Sequence, residues 1–134
     1  MEGSLLYVSR RTSSDADVRY IVETSQSRNA GLLVTGALVA SRSRFAQILE
    51  GPRPGVDALM DSIRRDPRHT DVEVLVYDDI DRRHFADWTL AYSGASVYVD
   101  GLIGALTERA TPQPHRADVH RLIQAIEQLA RARL

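Results

Sequence analysis

The sequence predicts an α+β domain: one sheet with two helices on one face, in the order β-α-β-β-α-β, then a fifth strand and a C-terminal helical segment. Three observations predict it. Short runs with period-two alternation are interrupted by two stretches of helical periodicity. A polar break of hairpin length separates the second and third strands. The 134 residues, 43% hydrophobic and 26% charged, suit a single globular unit with a real core.

Leu5 to Arg10 reads as the first strand, with Leu5, Tyr7 and Ser9 on one face and Leu6 and Val8 on the other. Ser13, Ser14 or Asp15 caps a helix from Asp17 to about Arg28, whose stripe is Val18, Ile21, Val22 and Ser25. Asn29-Ala30-Gly31 stops it. Leu33 to Ser41 is the second strand, Ser41 to Arg44 a hairpin loop, and Arg44 to Glu50 the third strand. Gly51-Pro52-Arg53-Pro54-Gly55 breaks that strand. Val56, Leu59, Met60 and Ile63 then stand at helical spacing, in a helix ending near Asp66 because Pro67 follows. Val72 to Tyr77 is the fourth strand and Asp87 to Ser93 the fifth.

This order is the ferredoxin-like pattern with an added strand. Beyond Gly94 the character changes. Ser96 to Arg109 is helical, Thr111-Pro112-Gln113-Pro114 a linker, and Ala117 to Leu134 a final helix. The stripe Val119, Leu122, Ile123, Ile126 and Leu129 is expected to cover the sheet face opposite the first two helices. Residues 1–94 therefore form the main domain. Residues 95–134 form an extension that packs on the sheet or mediates assembly.

The absences exclude whole classes of chemistry. There is no cysteine, which removes disulfides, thiolate nucleophiles and Cys-ligated metals. All 17 basic residues are arginine, so Schiff-base catalysis and a P-loop lysine are excluded. The net charge of −1 argues against a phosphate-tracking surface, so nucleic acid is not expected. No apolar run approaches the ~20 residues of a membrane span, and the N-terminus lacks a signal-peptide pattern; the cytoplasm is expected. Asp78, Asp79, Asp81 and Asp87 lack the glycine-centred loop of an EF-hand, and His115 and His120 are not at i, i+4, so no metal is expected.

The informative residues are polar ones on a buried face. Phe45, Gln47 and Leu49 share a face of the third strand, and Tyr7 sits between Leu5 and Ser9 in the first. Trp88 and Leu90 share a face of the fifth. If these strands neighbour one another, Tyr7, Gln47 and Trp88 converge under the helices. A buried amide needs partners. Two readings stand: Tyr7 and Gln47 satisfy each other in an ordinary core, or both meet a planar heteroaromatic ligand between the helices. Asn29 would serve the edge of such a ligand, and Asp66, Arg68 and His69 its polar tail.

The combination resembles the BLUF family of flavin-binding blue-light sensors. The matching pieces are Tyr7-Val8-Ser9, Asn29, Thr35-Gly36-Ala37-Leu38 and Phe45-Ala46-Gln47-Ile48-Leu49-Glu50-Gly51. Asp66-Pro67-Arg68-His69 and Arg83-His84-Phe85-Ala86-Asp87-Trp88 complete the series. The resemblance implies a non-covalent flavin, usually FAD, with FMN or riboflavin as alternatives. It makes Tyr7 the donor of an electron and a proton, and Gln47 the bridge from that tyrosine to the flavin. Ser25, Arg28, Asn29, Asp66, Arg68 and His69 become the further cofactor contacts. Trp88 and Leu90 become the signal relay. Leu90 stands where relatives often carry methionine, which keeps volume but loses the thioether.

The function implied is a photoreceptor, not an enzyme, whose rearranged hydrogen bonds are read by an effector protein in trans. A response regulator-like protein or a cyclic-dinucleotide enzyme is the kind of effector the family suggests, and a homo-oligomer, dimer or larger, is expected. The alternatives are a ferredoxin-like enzyme, acylphosphatase-type or flavin-dependent, and a non-photoactive interaction module. The glycine-rich loop of an acylphosphatase is missing after the first strand.

Overall fold

A computed structural model describes residues 2–12, 14, 17, 20, 23, 30–93, 97–107 and 116–132, with backbone alone at 88–93, 97–98 and 132. The strands are β1 (Glu2–Arg11), β2 (Thr35–Ala40), β3 (Arg44–Pro52), β4 (His69–Ile80) and β5 (Trp88–Ser93). The helices are α1 (Arg53–Arg65), α2 (Val97–Thr107) and α3 (Arg116–Ala132). Between β1 and β2 the backbone is helical at Asp17, Tyr20, Glu23, Ala30 and Gly31. Ser14 starts that segment with a capping box. Its Oγ accepts from the Asp17 N–H, and its own N–H donates to the Asp17 carboxylate, both at 3.2 Å.

The sheet order is β4-β1-β3-β2-β5. The first four strands are antiparallel in the ferredoxin-like arrangement, and β5 joins the β2 edge in parallel. Alternation divides the core between two faces. On one, Leu5, Tyr7, Val34 and Leu49 pack against Val56, Leu59 and Met60 of α1. On the other, Leu6, Val8, Ala37, Val39, Ala46 and Ile48 meet Val99, Ile103 and Leu106 of α2 and Leu122 and Ile126 of α3. Each fully buried aliphatic side chain contributes roughly 1.5–3 kcal/mol.

Several boundaries differ from the sequence expectation: β1 begins at Glu2 rather than Leu5, and β2 at Thr35 rather than Leu33. The Gly-Pro-Arg-Pro-Gly run is not a loop: β3 continues through Pro52 and α1 begins at Arg53. Pro54 sits in the first helical turn, where its missing N–H would have had no partner. β4 is twice as long as read, because its ends, His69 to Asp71 and Asp78 to Ile80, lack the apolar alternation by which a strand is recognised.

β4 also breaks alternation. Leu6 pairs with Val76 and Tyr7 with Val74, so Leu75 is an extra residue in the ladder. This bulge lets Leu75 and Val76 both pack on the α2–α3 side while Val72, Val74 and Tyr77 pack on the α1 side.

Candidate functional site

Strand register builds the centre of the site. Tyr7 of β1 and Gln47 of β3 are direct partners in the antiparallel ladder. Both face α1, and they are 3% and 5% exposed. The Tyr7 phenol donates to Gln47 Oε1 at 2.5 Å. Burial, and secondarily the Asp66 carboxylate, push the Tyr7 phenol well above its ordinary range. The phenol therefore keeps its proton at any physiological pH.

Gln47 is only half satisfied. Its Oε1 takes the phenol proton, while its Nε2 finds no partner among the described residues. An amide nitrogen buried to this degree has a donor to place. A ring ligand with carbonyl or nitrogen acceptors on its edge fits that donor, and the apolar side chains of α1 and β1 fit its face.

His69 closes one end of the site. Its Nε2 lies 2.8 Å from the Ile63 carbonyl, which can only accept, so Nε2 carries a hydrogen. Its Nδ1 is 2.8 Å from Ser9 Oγ, which then donates to it. The imidazole edge also packs against the rings of Tyr7 and Phe45. The chain between α1 and β4 is fixed around it. Asp66 Oδ1 accepts from the Arg68 N–H at 3.0 Å, and the Arg68 guanidinium lies 4.7 Å over the ring of Tyr20.

Of the predicted site residues, Tyr7, Gln47 and His69 are thus brought together, with Asp66 and Arg68 on the adjoining turn. Ser25, Arg28 and Asn29 lie outside the described residues. Trp88 and Leu90 are described by backbone alone. Their strand does not neighbour β1 or β3: β2 intervenes, with Gly36 opposite Trp88 and Leu38 opposite Leu90. Leu38 is in turn the register partner of Gln47, so Leu90, Leu38, Gln47 and Tyr7 occupy one row across the sheet.

Sequence reasoning missed Ser9 as the partner of His69. It also missed Glu50 and Arg83, which tie the β4–β5 loop to the sheet. The available signal for Glu50 was its parity with Ala46 and Ile48, which places a carboxylate on an apolar face where it demands donors.

A family model described as "BLUF: Sensors of blue-light using FAD" matches residues 3–91. The chain belongs to the BLUF family. A solved structure, "BlrB - a BLUF protein, dark state structure", is 32% identical, covers 95% of this chain and 96% of its own, and superposes with a TM-score of 0.72. A photoactivated adenylate cyclase subunit beta from Euglena longa is 41% identical over 90 residues, 65% of this chain. Those residues are only 10% of that protein, so the chain spans about a tenth of the curated relative. A structure of Klebsiella pneumoniae BlrP1 with FMN and cyclic diGMP is 25% identical at a TM-score of 0.65, covering 96% of this chain and 36% of BlrP1. The matched relatives thus include both a chain of similar length and much longer proteins.

Proposed function

We propose that this protein is a blue-light photoreceptor that holds a flavin without a covalent bond, FAD in preference to FMN or riboflavin. The observation that carries this reading is the Tyr7–Gln47 pair: a buried phenol hydrogen-bonded to an amide whose other end has a donor left over. Tyr7, Ser25, Arg28, Asn29, Gln47, Asp66, Arg68 and His69 form the binding set. When bound, the flavin supplies absorption in the blue and an excited state able to draw an electron from a nearby phenol.

The remaining chemistry belongs to the chain. Tyr7 is the electron donor, and its burial keeps the phenol protonated until that moment. A phenol that has lost an electron is strongly acidic, and its proton already points at Gln47 Oε1. Loss of that hydrogen bond in its original form leaves Gln47 free to rotate or tautomerise, exchanging the acceptor and donor ends it offers. His69, held by Ser9 and the Ile63 carbonyl, keeps the Tyr7 ring in place during the exchange.

The protein acts as a sensor rather than an enzyme, with Trp88 and Leu90 relaying the change through β5. Residues 1–94 carry the photochemistry, and 95–134 form the extension, whose α2 and α3 pack on the other face. An effector protein reads the output, a role consistent with relatives whose names join light to a cyclase. The working state is a cytoplasmic homo-oligomer. No helix among the described residues is long and apolar enough to cross a membrane.

The test is a visible spectrum of the purified protein in darkness and under blue light. A flavin spectrum that shifts red and recovers in the dark is expected. Tyr7→Phe and Gln47→Leu should each abolish the shift while retaining the flavin. A flavin spectrum with no reversible shift would refute the photoreceptor, and a protein that cannot be reconstituted with any flavin would refute the ligand.

A further inference from the structure

The β4–β5 loop is fastened to the sheet by three consecutive residues. Arg83 makes a two-point contact with Glu2 of β1, at 2.7 and 2.5 Å, and its guanidinium also donates to the Leu33 carbonyl and to Thr35 Oγ1. The backbone N–H groups of His84 and Phe85 both donate to Glu50 Oε1 at 2.8 Å, and His84 Nδ1 lies 3.0 Å from Glu50 Oε2. Thr35 Oγ1 donates to the Phe85 carbonyl at 2.5 Å. Strands β1, β2 and β3 thus all hold the segment from which β5 departs.

Glu50 is the centre of this fastening. Its side chain has no solvent exposure at all. A buried carboxylate is a costly way to tether a loop, and well-packed apolar side chains often do as well for stability alone. What a carboxylate adds is geometry: one group fixes two successive N–H donors and a ring at once. Glu50 is also three residues from Gln47 in the same strand and pairs with Thr35. His84, Phe85, Ala86 and Asp87 also line a cavity of about 320 Å³ shared with Glu127, Ala130 and Arg131 of α3. The loop is therefore gripped from the sheet and borders α3, where Phe85 is buried in the same core as Ile126 and Ala130.

We infer that Glu50 is a positioning residue for the light response: by clamping His84 and Phe85 it sets the origin of β5, and so couples rearrangement at Gln47 to that strand. This rests on the photoreceptor reading above. Glu50 shares the parity of Ala46 and Ile48, on the face opposite Gln47, so in this reading it is not needed for the photochemistry itself.

The experiment compares wild-type, Glu50→Gln and His84→Ala proteins, each loaded with FAD, by visible spectroscopy and by amide hydrogen exchange in darkness and under blue light. Glu50→Gln keeps an oxygen for the two N–H donors but loses the charge. It is expected to retain the reversible red shift while dark-state exchange in residues 88–93 rises about tenfold or more, the effect of weakening the two charge-assisted N–H bonds to Oε1. The light-minus-dark difference in that strand, present in the wild type, should collapse, with β1 and β3 unchanged. His84→Ala should give the same pattern at smaller amplitude, and decides the matter if Glu50→Gln does not fold. A variant whose β5 exchange and light response match the wild type overturns the inference. So does exchange raised equally in every strand, which would make Glu50 a general stabiliser, and so does a wild type whose β5 ignores light. A wild type with no red shift defeats the photoreceptor reading itself, a separate and recognisable failure.

Discussion

Tyr7 and Gln47 are direct cross-strand partners, and the one hydroxyl proton of the phenol is committed to the amide oxygen. Removing either side strands the other in a buried place. Tyr7→Phe leaves Oε1 without its donor, and Gln47→Leu leaves the phenol without its acceptor. Each is expected to destabilise the protein by about 1–3 kcal/mol in urea unfolding. The double variant, which removes both groups, should cost less than the sum by about 1 kcal/mol. Strict additivity would mean that the bond contributes nothing.

The same phenol predicts an alkaline response. There are five tyrosines, and burial with help from Asp66 pushes Tyr7 up from the ordinary value of 10.0. A raised folded value means that the contribution to stability is complete below the unfolded value. It is lost as pH rises from there through the folded value, because only the unfolded chain ionises readily. Phenolate absorbance of the flavin-free protein should therefore show Tyr7 titrating last, together with alkaline unfolding. Tyr7→Phe should delete that last step and no earlier one.

Gly36 and Gly101 make a contrasting pair. A Cβ on Gly36 would lie 1.8 Å from the Ile48 carbonyl oxygen, which no side-chain adjustment relieves. Gly36→Ala must separate β2 from β3 and should cost more than about 3 kcal/mol. The pairing of β5 should be lost with it, since Gly36 is the partner of Trp88. A Cβ on Gly101 meets nothing within 4 Å, so Gly101→Ala in α2 should stabilise by about 0.5–1 kcal/mol. Thermal melting of both variants checks the two signs together.

Asp100 of α2 ties that helix to the β2–β3 hairpin. Its carboxylate accepts from the hydroxyls of Ser41 and Ser43 and from the Ser43 N–H. Burial acts to raise its pKa, but these hydrogen bonds outweigh it and hold the group below 3.8. The contribution is thus complete above that value and lost as pH falls through the folded one. Asp100→Asn should flatten the acid limb of a stability-versus-pH curve, by less than about 1 kcal/mol because the carboxylate is partly solvated. An unchanged limb would exclude a part for Asp100 in acid stability.

The Tyr7–Gln47 pair was legible because both residues sit in strands with clean alternation, where parity alone assigns a face. The stripe of α1 was equally plain, and its buried residues include Val56, Leu59 and Met60. Leu75 was not legible. Period-two reading puts it with Tyr77, whereas the bulge sends it to the opposite core, and a bulge depends on the partner strand rather than on local composition. The place of β5 was hidden for a similar reason. Its parallel pairing with β2 depends on Glu50, Thr35 and Glu2 holding the loop before it, contacts spanning 34 to 81 residues of sequence. Leu33 belongs to the same group. It is 67% exposed and left-handed at φ 60°, a conformation costing about 1–3 kcal/mol, and its carbonyl accepts from Arg83.

β5 is attached to the sheet along one side only, through β2, while the four antiparallel strands form a complete unit without it. The division of labour this permits is mechanical. The four antiparallel strands that give the sheet its cohesion and the strand proposed to relay the light response are different pieces of chain. On the proposed reading, β5 shifts while the four antiparallel strands keep their pairing. Durability and responsiveness, which compete when one element must supply both, are here assigned to neighbours.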